Sequence, residues 1–126
     1  MKNLLLLAAL LLPILSYSQK YHFSNQWKKI ESLEARGLVE SADSLVTEVL
    51  TSARKRKDHI QVIKAKIYHY KFYQINNENS TQFILDDLNT TISNLPVPFK
   101  NVMQSYKAMM LEQYYQENRW RSRGRS

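Results

Sequence analysis

Apolar and polar residues follow one another along most of this chain at steps of three and four, the spacing that gathers side chains on one face of an α-helix. The longest pattern of this kind covers residues 97–120. Polar residues such as Lys107 and Glu112 fall outside the apolar positions, so we predict a long helix whose apolar stripe is buried against the rest of the chain. The predicted stripe consists of Phe99, Val102, Met103, Tyr106, Met109, Met110 and Tyr114.

Four shorter patterns precede the long one and are separated by residues that stop helices. Gly37 can adopt the left-handed conformation that closes a helix, after which Leu38 folds back toward Leu33. Pro96 ends the fourth pattern. Short connections favour antiparallel neighbours, so we predict an all-α fold of about five antiparallel helices, in a bundle or in a tetratricopeptide-like array. The four shorter patterns cover residues 24–36, 41–57, 59–75 and 80–95.

The third pattern differs from the others because it has apolar residues on two faces. A helix of this kind is expected to lie between neighbours that cover both faces. One series contains Ile60, Ile63, Ile67 and Tyr70, and the other contains Ala65, Tyr68, Phe72 and Ile75.

Composition agrees with a small helical domain. The chain has 126 residues, of which 44% are hydrophobic and 11% aromatic, so it is long enough for one modest core and too apolar for a disordered chain. Two glycines and three prolines suit long helices better than a turn-rich β-sandwich. The absence of cysteine excludes disulfides, thiolate metal sites and a cysteine nucleophile.

The first residues have the pattern of a secretory signal peptide. Lys2 precedes an apolar run from Leu4 to Leu15, which is too short to span a bilayer comfortably, and small residues follow at Ser16 and Ser18. We predict cleavage after Ser18 and export to the periplasm or to the outer-membrane or extracellular face, without stable membrane insertion. The predicted organisation is a signal peptide at residues 1–18, a helical domain at 19–121 and a basic tail at 122–126.

Two basic clusters contribute much of the formal net charge of +7. Residues 54–57 read Arg-Lys-Arg-Lys at the end of a predicted helix, where the helix dipole favours cations without any ligand. Contact with phosphate, lipid A or nucleic acid is the alternative interpretation of this cluster. Residues 119–126 alternate arginine with other residues beside Trp120, and predicted export argues against nucleic acid there. Because one aromatic ring buries too little surface for a membrane anchor, we favour contact of this tail with a protein, or truncation of a longer chain.

The sequence contains no pattern typical of catalysis or metal binding. His22, His59 and His69 include no pair three or four residues apart, so no zinc site is expected on one helix face. Asp86 and Asp87 point about 100° apart on a helix, which does not suit a shared proton. Glycine-dependent motifs such as the nucleophile elbow and the phosphate loop are absent. We predict no enzyme activity, no catalytic residue, no metal and no cofactor.

The run EQYYQENRWR at residues 112–121, which follows a Pro-Val-Pro turn at 96–98, carries a resemblance to a known family. It resembles the end of the first helical segment in the large alpha-2-macroglobulin-like proteins of the Bacteroidota envelope. The resemblance covers residues 21–121 and implies the amino-terminal helical segment of such a protein, as a fragment or truncated form. Earlier residues that agree in order and spacing are Trp27, Ile30 and Leu33, then Arg36-Gly37-Leu38, Ser41-Ala42 and residues 61–65.

The family to which this resemblance points inhibits or traps proteases by a large conformational change. Its macroglobulin β-sandwich domains, bait region and thioester motif Cys-Gly-Glu-Gln do not occur in this sequence, so no trapping residue is carried over. The resemblance therefore implies a non-catalytic segment that docks on following macroglobulin domains or on another envelope protein. The alternative is an independent exported helical adaptor that binds a protein partner.

A candidate docking surface lies near the end of the last predicted helix, where apolar residues fall off the main stripe. Exposed apolar side chains of this kind tend to self-associate weakly when their partner is missing. The predicted surface consists of Leu111, Tyr115, Trp120, Arg119 and Arg121.

Overall fold

The computed structural model of the chain describes residues 23–124, all of which belong to helices or to the short connections between them. The predicted all-α class is confirmed. The predicted signal peptide, its cleavage site and His22 lie outside the described residues. The helices are α1 (residues 23–35), α2 (Val39–Lys55), α3 (His59–Asn76), α4 (Thr81–Ser93) and α5 (Phe99–Arg123).

The chain divides into two compact units, one ending at Val49 and the other beginning at Leu50, so the boundary falls inside α2. In the first unit, the three- and four-residue spacing of the sequence produces one buried face on each helix. In α1 the buried side chains are those of Phe23, Trp27 and Ile30, and in the first part of α2 they are those of Ala42, Val46 and Val49.

The turn between α1 and α2 confirms the predicted role of Gly37. This glycine has a φ angle of 75°, in the left-handed region that side chains disfavour. The amide N–H of Leu38 donates to the carbonyl oxygen of Leu33, and that of Gly37 donates to Glu34, at 2.9 Å each. These two bonds form a Schellman motif, which satisfies carbonyl groups that the end of α1 would otherwise leave unpaired.

The second unit has its core where α5 packs against both α3 and α4. Tyr70, Ile84, Leu88 and Met103 are completely buried there. Phe99 extends this packing to the start of α3, where its ring lies 5.2 Å from that of His59. The other buried members of the core are Ile63, Leu95 and Met110, and Ile67, Tyr73, Ile92 and Tyr106 pack partly buried against it.

Helix α3 is buried on more than one side, in agreement with its two apolar series. Ile60 and Ile75, at its two ends, are the exceptions, since 64% and 58% of their surfaces are exposed. The sequence pattern overestimates their burial, since no described neighbour covers these two side chains. The buried residues of α3 are Val62, Ile63, Ala65, Lys66, Tyr70 and Phe72.

The buried stripe of α5 is narrower and shorter than the sequence predicts. Met103 and Met110 are buried, with half-buried Tyr106 between them. Val102 and Met109 lie roughly 80° to the side of this stripe and are about half exposed. Tyr114, also exposed, comes after the last buried residue of the helix. The prediction that Val102, Met109 and Tyr114 belong to a buried face is therefore wrong.

Candidate docking helix and basic cleft

The second half of α5 is a helix without covering neighbours among the described residues. Met110 is its last buried residue, Leu111 is half-buried, and all described side chains from residue 112 to 123 are exposed. We call residues 111–123 the distal segment. At 1.5 Å per residue it extends for about 20 Å, or more than three turns. The helix continues through Arg123, so the predicted basic tail begins within it.

The residues predicted as a docking surface all lie on the distal segment but do not form one patch. Leu111, Tyr115 and Arg119 follow at steps of four and share one face. Relative to Tyr115, Trp120 lies roughly 140° around the helix in one direction and Arg121 roughly 120° in the other. Tyr115 and Trp120 are 69% and 76% exposed, while Leu111 is half-buried. The predicted residues therefore encircle the helix.

Trp120 faces a different environment from Tyr115. It lines an open groove of about 570 Å³ together with Gln113 and Gln116 on its own helix. The opposite wall is the connection between α3 and α4, which includes Asn77 and Glu78. Most of the residues that line this groove carry amide, hydroxyl or carboxylate groups, so this side of the distal segment is more polar than an ordinary apolar groove.

A polar cluster that the sequence analysis missed joins α3 to α4. The ammonium group of Lys66 donates to Oδ2 of Asp87 at 2.8 Å, and the hydroxyl group of Tyr70 donates to the same oxygen at 2.5 Å. Lys66 is only 6% exposed, and Tyr70 is completely buried. We call these three residues the Lys66–Asp87–Tyr70 cluster.

The electrostatics of this cluster keep Asp87 ionised. Burial alone would raise the pKa of the Asp87 carboxyl, but hydrogen bonds from Lys66 and Tyr70 and the positive charge of Lys66 outweigh it and hold the pKa below its ordinary value. Burial, and then the hydrogen bond to Asp87, raise the pKa of the Tyr70 phenol above its usual range. The cluster is therefore an ion pair with a neutral tyrosine donor at physiological pH.

Asp86 and Asp87 have different surroundings, as their helix spacing predicts. Asp86 is exposed and accepts a hydrogen bond from the side-chain amide of Gln82, one turn earlier, at 3.0 Å. Asp87 instead points toward α3. The two carboxylates therefore have separate partners and do not act as a pair.

A cleft of about 290 Å³ lies beside the cluster in the second unit. Arg54, at the end of α2, and Lys57, in the following turn, line one side of it, and Val62 and Lys66 line it from α3. Asp87 faces it from α4. We call this cleft the basic cleft. Its remaining lining residues are His59, Thr90, Thr91, Asn94 and Leu95.

Lys57 has a backbone conformation that is unusual for its residue type. Its φ angle is 53°, in the left-handed region where a non-glycine side chain costs about 1 to 2 kcal/mol. Hydrogen bonds from Lys57 N to Arg54 O at 3.2 Å and from Asp58 N to Ala53 O at 3.0 Å repeat the Schellman motif of Gly37. The same turn thus ends α1 with a glycine and α2 with a lysine beside the basic cleft.

The described histidines have aromatic surroundings. His59 packs on Phe99, and His69 lies 6.2 to 6.3 Å from the rings of Tyr70 and Tyr73. Within residues 23–124, no group of three or more histidine, aspartate or glutamate side chains is placed to hold a metal ion. No helix in the same part of the chain is both long and apolar enough to cross a membrane.

Comparison of this chain with models of protein families, with curated proteins and with solved structures gives no match.

The missed cluster had a partial signal in the sequence. Lys66 stands four residues from both Val62 and Tyr70, so it interrupts an apolar series of α3. Asp87 stands three residues after Ile84 and next to Leu88, at the edge of the apolar face of α4. Two opposite charges at such positions suggest a buried ion pair, but only the packing of α3 on α4 identifies them as partners.

Proposed function

We propose that this chain is an exported, non-catalytic helical segment that docks onto protein through the distal segment of α5. The observation that carries this proposal is the continuation of α5 for more than three turns beyond Met110, its last buried residue. Exposed aromatic side chains occur on separate faces of this continuation.

The distal segment gains little stability by itself in water, because helices in proteins are stabilised mostly by packing of an apolar face. Contact with a partner would stabilise the distal segment and cover Tyr115 and Trp120. Tyrosine, tryptophan and arginine are also the residue types enriched where protein interfaces derive most of their binding energy. The distribution of Tyr115 and Trp120 around the helix suits a partner that encloses it, as a groove or two adjoining domains would.

Charge narrows the chemistry of the proposed partner. Arg119, Arg121 and Arg123 are all exposed on the last turns of α5. Arginine forms planar, paired hydrogen bonds with carboxylates. The complementary surface of the partner therefore has acidic side chains around a groove that receives the aromatic rings. We therefore propose a protein partner with an acidic surface, and neither nucleic acid nor a membrane.

The resemblance to alpha-2-macroglobulin-like envelope proteins suggests which protein this is. In this proposal, the chain forms the amino-terminal helical segment of such a protein, and following macroglobulin domains cover the distal segment. The chain itself traps no protease, because the bait region and thioester are not part of it. Its helices form an antiparallel bundle or a tetratricopeptide-like array in the periplasm or at the cell surface, after removal of residues 1–18. An independent adaptor would use the same surface on a separate envelope protein.

The proposal is tested by light scattering and a protease assay on the chain purified after export. With the distal segment uncovered, we expect concentration-dependent self-association that the double substitution Tyr115→Glu, Trp120→Glu abolishes. We expect no inhibition of a general protease by either protein.

A matched control changes two other exposed apolar residues of the same unit. Ile60→Glu, Ile75→Glu alters side chains of similar exposure at the ends of α3, and we expect it to leave self-association unchanged. A parent chain that is monomeric at all concentrations and unaltered by the distal substitutions would refute the docking surface. Protease inhibition by the chain alone would refute the non-catalytic docking role.

A further inference from the structure

The basic cleft has an unbalanced positive charge. Within it, Asp87 is already neutralised by the ammonium group of Lys66 at 2.8 Å. Arg54 and Lys57 line the same cleft, and neither forms an ion pair with any residue of the part that the structure describes. Two positive charges therefore remain available at this site.

The helix dipole explains these two cations incompletely. A dipole favours positive charge at the end of α2, where Lys55 is the last helical residue and Arg56 follows in the turn. However, the four-residue basic run divides in the structure, since Arg54 and Lys57 line the cleft whereas Lys55 and Arg56 do not. The helix dipole does not explain why only two of these four cations line the cleft.

Lys57 adds an independent observation at the same place. Its left-handed backbone is the conformation in which glycine ends α1, and a lysine there lowers the stability of the turn. Strained residues of this kind are often found at ligand sites, where the side chain is used. Here the lysine contributes one of the two unpaired charges of the cleft.

The walls of the cleft combine apolar surface with polar and charged side chains. Val62 and Leu95 are buried and apolar, and His59 presents an aromatic ring. The side-chain amide of Asn94 donates one N–H to the carbonyl oxygen of Thr90 at 3.1 Å and has a second N–H to offer. The cleft therefore suits a ligand with an anionic end and an apolar remainder.

We infer that the basic cleft is a binding site for a small phosphate ester. Arg54 and Lys57 bind the phosphate, and Val62 and Leu95 contact the apolar part of the ester. A dianionic phosphate matches the two unpaired cations, whereas a carboxylate would leave one of them uncompensated. The ester is either a soluble molecule or the phosphate headgroup of a lipid.

Nuclear magnetic resonance titration of the exported, full mature chain with phenyl phosphate tests the site. We expect saturable shifts in amides that line the cleft, such as those of His59 and Thr91, and weaker binding of inorganic phosphate and of benzoate. The double substitution Arg54→Gln, Lys57→Gln should weaken phenyl phosphate binding by about tenfold or more, because each charge-assisted hydrogen bond contributes substantially.

The neighbouring pair Lys55→Gln, Arg56→Gln is the matched control, since it also removes one lysine and one arginine of the same run, but outside the cleft. It should leave the affinity for phenyl phosphate within about twofold of the parent. Equal weakening by the two double substitutions would show unspecific attraction and would overturn the site. Absence of saturable shifts in the cleft of the parent chain would overturn it as well.

The substitution Lys57→Gly distinguishes phosphate binding by this side chain from its effect on the stability of the turn. Glycine relaxes the left-handed turn, so we expect a higher melting temperature together with weaker phenyl phosphate binding. Undiminished binding in this variant would overturn the role of Lys57. Competition by phosphatidylcholine vesicles containing phosphatidic acid, but not by phosphatidylcholine alone, would identify a lipid headgroup. Absence of competition by both kinds of vesicle would identify a soluble ester.

Discussion

The first half of α5, residues 99–110, and its distal segment belong to one continuous helix but have opposite surroundings. Met103 and Met110 of the first half are buried against α3 and α4, whereas all described side chains after residue 111 are exposed. Both halves contain tyrosine, but Tyr106 in the first half is half-buried, whereas Tyr114 and Tyr115 in the distal segment are exposed. The position of a residue along the helix therefore decides its burial more than its type does.

Helix α4, one of the two helices that pack against α5, is much shorter than α5. The 25 residues of α5 extend for about 38 Å, whereas the 13 residues of α4 extend for about 20 Å. A partner as short as α4 covers only about half of α5. The apolar residues beyond that length either remain in water or contact something else, which is the physical basis for the proposed docking role.

The largest predicted effect tests the buried half of α5. Met103→Ala removes a completely buried side chain and leaves a cavity, so it should lower the free energy of unfolding by about 2 to 5 kcal/mol. Met109→Ala, the matched control on the same helix, changes a half-exposed side chain and should cost less than about 1 kcal/mol. Equal losses in urea denaturation would contradict the narrow buried stripe.

The Lys66–Asp87–Tyr70 cluster is predicted to have the next largest effect, because it joins α3 to α4 beside the same core. Asp87→Asn leaves the buried ammonium group of Lys66 without a countercharge and should cost about 2 to 3 kcal/mol. Asp86→Asn, one residue away and exposed, should change stability by less than about 0.5 kcal/mol. Similar losses in the two variants would refute the structural importance of the cluster.

The same variants should differ in acid. Burial opposes ionisation of Asp87, but its bonds to Lys66 and Tyr70 hold its pKa below the ordinary 3.8. An unfolded chain then binds more protons than the folded one between these two values. The stabilisation by Asp87 is thus complete above about pH 3.8 and is lost as the pH falls through the lower folded pKa. Asp87→Asn should lack this part of the acid-induced loss, and Asp86→Asn should retain it, as urea denaturation at a series of acidic pH values would measure.

The sequence predicted the elements of the fold well because they depend on local spacing. Steps of three and four indicated the five helices, and Gly37 indicated a correct helix end since only a left-handed residue closes that motif. The second left-handed residue, Lys57, could not be predicted in this way, because lysine has no preference for that conformation.

The site was less predictable because it depends on which helices meet and how far they overlap. Asp87 is 21 residues from Lys66 and 17 from Tyr70, so no local pattern links them. The exposure of Met109 likewise depends on how far the neighbouring helices extend around α5. The basic run at residues 54–57 indicated the charge correctly, but its division into cleft and non-cleft residues required the packing of α3 and α4.

The smallest predicted effect is on the distal segment itself. Tyr115→Glu, Trp120→Glu should change the free energy of unfolding by less than about 0.5 kcal/mol, because both side chains are largely exposed. Each introduced carboxylate would have one glutamate and one arginine three or four residues away on the helix, so attraction and repulsion roughly cancel.

Tyr106→Glu, a tyrosine substitution in the first half of the same helix, is the comparison for the distal variant. The ring of Tyr106 is half-buried 6.2 Å from that of Tyr70, so a carboxylate there loses hydration, and we expect the free energy of unfolding to fall by about 2 kcal/mol or more. Urea denaturation of the parent and the two variants measures both values at protein concentrations below self-association. A loss above about 1 kcal/mol in the distal variant would mean that the distal segment packs within its own chain, and the contrast between the halves of α5 would then fail.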